Sequence, residues 1–116
     1  MYRQGDVLIE RAGKRERTDL TDERLLVRGE GRNHGHFITG DNVVISVAAD
    51  GELTSGGGIV THYLEVSEPC TLEHKLIDAE AWTGEHAPIT IPPGTYRVIR
   101  QREYNPYAKA IRAVKD

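Results

Sequence analysis

The chain has 116 residues, 38% of them hydrophobic, with a net charge of −3 and one cysteine. That length suits one domain with a core of its own, and a single cysteine excludes an internal disulfide. No apolar run approaches the roughly 20 residues of a membrane-spanning helix, and the mild acidity lacks the basic footprint of a nucleic-acid binder.

Apolar residues come in short runs, rich in β-branched side chains and separated by Gly, Pro, Asn and Asp, which predicts strands joined by turns. The opening MYRQGDVLIE has no basic-then-apolar leader, so a cytoplasmic protein is expected. GDVLIE reads as a first strand. The charged segment 11–24 reads as a solvated loop, its RAGKRER offset by TDLTDER. RLLVRGE follows as a second strand. HGHFITG is a third, with His34, His36 and Ile38 on one face by the two-residue period. NVVISVAA is a fourth, and DGELTSGGG a loop whose glycines suggest a mobile tip.

IVTHYLEVS is a fifth strand, with Val60, His62, Leu64 and Val66 sharing a face. CTLEHKLI is a sixth, with Leu72, His74 and Leu76 together. DAEAWTGE is a loop or a single helical turn. PITIPPGTYRVIRQREY gives two more runs broken at Pro92-Pro93-Gly94, since proline cannot donate to a ladder. The tail reads either as a short C-terminal helix, with Asn105 as cap and Pro106 in its first turn, or as a final edge strand. The fold class is all-β: residues 1–116 form one cupin-like β-barrel or compact β-sandwich.

His34 and His36 project from the same face of one strand, between Gly29, Gly31, Gly35 and Gly40. Imidazole ligates zinc, copper, iron and nickel, and such ions take three or four protein donors. His74 lies on an apolar face, where a buried imidazole needs partners for both ring nitrogens. His86 precedes the PITIPP run. Glu73 and Glu85 each stand immediately before one of these histidines, placed to orient it, to bind the ion, or to act as general base. The expected metal ligands are His34, His36, His74 and His86, holding a divalent ion (zinc, iron, nickel or manganese). The expected catalytic residues are Glu73 and Glu85. His62 has no polar companion on its face and is left outside the set.

Two likenesses follow from these residues. GEGRNHGHFITG, with Gly29, His34, His36 and Gly40, resembles the first motif of the cupins, and Pro92 with Gly94 resembles the second. The cupin glutamate is missing, however, and Tyr96-Arg97 stand where the second motif has its histidine. The resemblance implies a metal at a barrel mouth, with His74 and His86 substituting. The chain as a whole resembles a family of small uncharacterised bacterial and phage-type proteins. That likeness is carried by Gln4–Leu8, by His34-Gly35-His36, by Leu72 with His74, by Glu85–Ile89, by Pro92–Val98, and by Arg100–Tyr104 with Pro106. It implies one domain and a histidine set, without a reaction.

Other chemistry is weaker. Cys70 reads as core and Ser55–Gly58 as a flexible loop lacking the Lys-Ser/Thr end of a phosphate loop. Trp82 and Tyr63 read as pocket lining or loop anchors. Tyr96, Arg100, Arg102 and Tyr104 read as a ring around a barrel mouth for an anion. Two functions are carried forward. One is metal-assisted hydrolysis of a small or nucleotide-like substrate. The other is a non-catalytic accessory or sensor module with a structural metal. A small-molecule ligand is the expected partner, without membrane or nucleic acid, and a homo-oligomer is compatible with either.

Overall fold

The computed structural model describes residues 1–13, 18–29, 33–49, 52–54, 56–77, 86–105 and 110–113, the last segment and 102–105 as backbone alone. The strands are β1 (Tyr2–Gln4), β2 (Val7–Arg11), β3 (Leu20–Thr21), β4 (Leu25–Arg28), β5 (His34–Thr39) and β6 (Val43–Val47). After these come β7 (Ile59–Val66), β8 (Cys70–Leu76), β9 (Ile89–Ile91), β10 (Gly94–Arg100), β11 (Arg102–Asn105) and β12 (Ala110–Ala113). All pairings are antiparallel.

A six-stranded sheet runs β1-β2-β10-β7-β6-β3, and a four-stranded sheet runs β4-β5-β8-β9. Both sheets are open, with β1 and β3 at the edges of one and β4 and β9 at the edges of the other. The fold is therefore a sandwich, and the closed cupin-like barrel is corrected. Its inner layer takes Val7 and Ile9 of β2, Leu64 and Val66 of β7, and Val98 of β10 from the larger sheet. Ile38, Leu72 and Ile91 answer them from the smaller. Each such side chain, removed from water, contributes about 1.5–3 kcal/mol before entropy is counted.

The charged segment 11–24 includes the short strand β3, and Tyr2–Gln4 adds an edge strand ahead of the expected first one. Gln4 pairs with Val7 across a two-residue turn of Gly5 and Asp6. Gly5 has φ 59°, which the first position of a II′ hairpin turn requires. The C-terminal helix is also corrected. Tyr104 pairs with Ile111 and Asn105 with Ala110 in a two-stranded ladder. Asn105 thus ends a strand rather than capping a helix, and the ladder supplies the backbone bonds that a helix would have made. Pro106 lies outside the described residues.

The expected common face of Val60, His62, Leu64 and Val66 is broken. Val98 pairs with His62 but Ile99 pairs with Val60, so Thr61 is one residue too many on β7. Such a bulge reverses the alternation on either side of it. Leu64 and Val66 face the inner core. Val60 turns outward, joining Leu8, Tyr63 and Ile99 in a second apolar cluster on the other face. Glu52 covers that cluster: its carbonyl accepts from Val60 N at 2.9 Å and its carboxylate accepts from the Tyr63 hydroxyl. Of the glycines expected to form a mobile tip, Gly57 has φ 85° in the turn back to Ile59. A Cβ on Gly58 would stand 2.4 Å from Ile99 Cγ2, so the backbone itself packs there.

His62 hydrogen-bonds through Nδ1 to Thr61 Oγ1 at 2.9 Å, and burial lowers its pKa. The folded chain therefore binds this proton less readily than the unfolded chain, whose imidazole titrates near pH 6.5. Stability linked to His62 is full above that value and falls as the pH drops through it. Chemical unfolding at about pH 7.5 and about pH 5.5 is expected to show a larger acid loss in the wild type than in His62→Gln.

Candidate functional site

The two-residue period of β5 and β8 turns His34, His36, Leu72 and His74 into the space between the sheets. His36 lies directly opposite His74, and His34 opposite Leu76. His36 and His74 are fully buried and His34 is 5% exposed. His34 Nδ1 and His74 Nε2 lie 2.7 Å apart, one donating to the other. Ring centroids are 4.5 Å apart for His34 and His74 and 4.6 Å for His36 and His74. His86, half-buried just ahead of β9, brings its ring to 4.8 Å from His74 and 6.1 Å from His36. The four histidines singled out in the sequence thus form one cluster, drawn from two strands and a connecting segment. His62 stands apart on the larger sheet.

Gly35 separates the first two histidines for a reason of packing. A Cβ there would stand 2.5 Å from Leu25 Cδ1 and 2.7 Å from the Val27 carbonyl oxygen. The leucine tip can move, but the β4 backbone cannot easily do so.

Gln4 and Asp6, which the sequence reading used only as part of a family signature, complete the cluster. Gln4 Nε2 donates to the Leu72 carbonyl at 3.1 Å and the Ala87 carbonyl at 2.9 Å, which fixes the orientation of the amide. Its Oε1 is therefore the atom at 2.9 Å from His36 Nδ1, and that nitrogen must carry the proton and donate. His36 Nε2 then faces Asp6 Oδ1 at 3.4 Å, both side chains fully buried. A neutral imidazole so oriented directs a lone pair at a carboxylate. A proton on Nε2 would make this contact an imidazolium–carboxylate pair. Arg100 Nε donates to Asp6 Oδ2 at 3.3 Å, and the Asp6 carbonyl accepts from Gln101 N at 2.8 Å. The signal available in the sequence was two polar residues flanking a turn glycine at the head of an apolar run.

Glu73, the expected general base, lies on the other face of β8 from His74. Its carboxylate pairs with Lys75 Nζ at 2.8 Å and is part-exposed. Alternation along the strand forbids both residues from facing the cluster, and among the described residues Asp6 is a carboxylate that does. Glu85 and Trp82 lie outside the described residues. Tyr96 lines no barrel mouth: it is fully buried, its hydroxyl donating to the Pro92 carbonyl at 2.6 Å. Burial pushes its phenol up, as it does the Cys70 thiol, where Arg24 opposes the rise.

The family described as Domain of unknown function (DUF8820) matches residues 3–101. The chain belongs to it. The DUF8820 match holds Gln4, Asp6, all four clustered histidines and Arg100, and ends before β11. No curated protein and no solved structure matches the chain significantly.

Among the described residues, no three His, Cys, Asp or Glu side chains stand as a ready-made coordination shell, and no helix is long and apolar enough to cross a membrane. In this DUF8820 chain the hydrogen bond between the two rings occupies His34 Nδ1 and His74 Nε2. His34 Nε2, however, is buried with no hydrogen-bond partner.

Gln4→Leu removes the amide that ties β8, Ala87 and His36 together, leaving two carbonyls and an imidazole nitrogen without that partner. A loss of about 1–3 kcal/mol in urea unfolding is expected. Gly35→Ala, by overpacking against β4, is expected to lose about 1–3 kcal/mol in the same measurement.

Proposed function

We propose that this domain binds one divalent metal ion at the histidine cluster, and that the site serves as a non-catalytic accessory or sensor module. His34, His36, His74 and His86 would hold the ion, with Asp6 beside His36 and Gln4 setting the tautomer of that ring. The observation that carries the reading is the His36 Nε2 to Asp6 Oδ1 approach of 3.4 Å in a fully buried setting, with Nδ1 already committed to Gln4. A carboxylate and an imidazole nitrogen face each other there, two donor types that divalent ions take. The partnerless Nε2 of His34 adds a donor that is otherwise expensive to bury. Ring rotation that opens the His34–His74 hydrogen bond would free a further nitrogen.

Burial favours the non-catalytic form. Three of the four rings are buried, and a closed set of four protein donors is the mark of a structural site. The second reading, a small metal-dependent hydrolase, is favoured by one observation: His86, unlike the other three rings, is only half-buried. In that reading the ion would supply Lewis-acid activation of water. Asp6 would take the proton, held in place by Arg100. The likeness of GEGRNHGHFITG to the cupin HxH motif belongs to this second reading and concerns the donor type alone.

Elemental analysis of the purified protein, before and after adding back zinc, iron, nickel or manganese, tests the proposal. About one ion per chain is expected, as is typical of a four-donor site. His86→Ala changes a half-buried residue and spares the core, and should lower retention. Asp6→Asn is expected to weaken binding by about 10–100-fold, as loss of an orienting carboxylate does. No metal uptake, with imidazole nitrogen resonances unmoved by added ions, would overturn the reading. Metal retention together with hydrolysis lost in Asp6→Asn would move the assignment to the enzyme.

A further inference from the structure

The outer face of the four-stranded sheet carries a second feature, independent of the histidines. At the start of β4 and the β5–β6 turn lies a cavity of about 230 Å³ lined by Arg24, Phe37, Thr39, Asp41 and Lys75. Phe37 and Thr39 project from β5 on the face opposite His36, and Lys75 from β8 opposite His74, so the cluster and the cavity lie on opposite faces of the same strands.

The charges lining it are unevenly satisfied. Lys75 is neutralised by Glu73 at 2.8 Å and lies 5.7 Å from the centre of the Phe37 ring. Arg24 forms no ion pair among the described residues, and its Nη1 is buried with no hydrogen-bond partner. A guanidinium is always charged, and Arg24, which lines the cavity without a carboxylate partner among the described residues, leaves that charge for an anionic group to balance. Glu23, its neighbour in sequence, is turned away, accepting from Leu25 N at 3.2 Å. Asp41 lines the same cavity from the exposed turn and forms no ion pair with Arg24. Besides the paired Lys75, Arg24 and Asp41 therefore border a single small cavity without neutralising each other, beside the almost fully buried ring of Phe37.

We infer that this cavity binds a small zwitterion, an α-amino acid with an apolar side chain. Its carboxylate lies on Arg24, its ammonium on Asp41, and its side chain against Phe37. The volume is below the roughly 300 Å³ where drug-sized pockets begin, which suits a metabolite of this size. A dianion such as phosphate is disfavoured by Asp41, and a simple amine leaves Arg24 unmatched.

The probes are L-leucine, 4-methylpentanoate (the same skeleton without the amine) and 3-methylbutylamine (without the carboxylate), followed by amide chemical shifts. Leucine is expected to give saturable shifts at residues 39–42 at millimolar concentration, with 4-methylpentanoate about tenfold weaker and the amine weaker still. Arg24→Gln should abolish binding of leucine and 4-methylpentanoate. Asp41→Asn, at an exposed turn position that spares the fold, should reduce leucine to the level of 4-methylpentanoate. The inference is overturned if leucine, methionine and phenylalanine all give no saturable shifts. It is equally overturned if inorganic phosphate or 4-methylpentanoate binds as well as leucine, or if Asp41→Asn leaves leucine binding unchanged.

Discussion

A histidine and an aspartate that lie wholly inside a β-sandwich impose a condition on everything around them: each buried nitrogen and oxygen needs a partner of the right polarity. The β1–β2 hairpin meets much of that condition. Its two-residue turn sets Gln4 and Asp6 on either side of Gly5, within reach of the two faces of one imidazole. Gln4 then reaches the backbone of β8 and the segment entering β9, while Asp6 reaches β10 through Arg100 and Gln101. An edge hairpin of the larger sheet thereby closes over the smaller one. The polar cluster acts as a fastening between layers that share no ladder.

The same strands serve two further surfaces. β5 and β8 give their inner faces to the histidines and their outer faces to Phe37, Thr39 and Lys75. β7 changes sides at Thr61 and contributes to apolar clusters above and below its sheet. A chain of this size can thus keep a polar site in its interior without losing its core, because the apolar residues displaced from one layer are recovered in another.

The strand pattern and the inward faces of His34, His36 and His74 were legible in the sequence because both depend on the two-residue period, which local reading captures; His86, in the segment ahead of β9, has no such period. The openness of the sheets was not, since it depends on which distant strands meet. The C-terminal hairpin was obscured by Asn105-Pro106, which is as good a helix start as a turn. The Thr61 bulge left no local mark, because Val-Thr-His continues a plausible alternation. Glu73 was misplaced by adjacency: neighbours in a strand face opposite ways, so a carboxylate next to His74 in sequence is directed away from it in space. Asp6 was passed over because the residues it meets, His36 and Arg100, lie far along the chain.

That remoteness has a kinetic side. The contacts of the cluster span 32, 40, 68, 83 and 94 residues of chain. Contacts so distant in sequence require large loops to close first, and they mature late on the way to the native state. An ion of the kind proposed would therefore meet its full set of donors only once the sandwich has assembled. It would act as a lock on the finished fold, slowing its opening and doing little to hasten its formation.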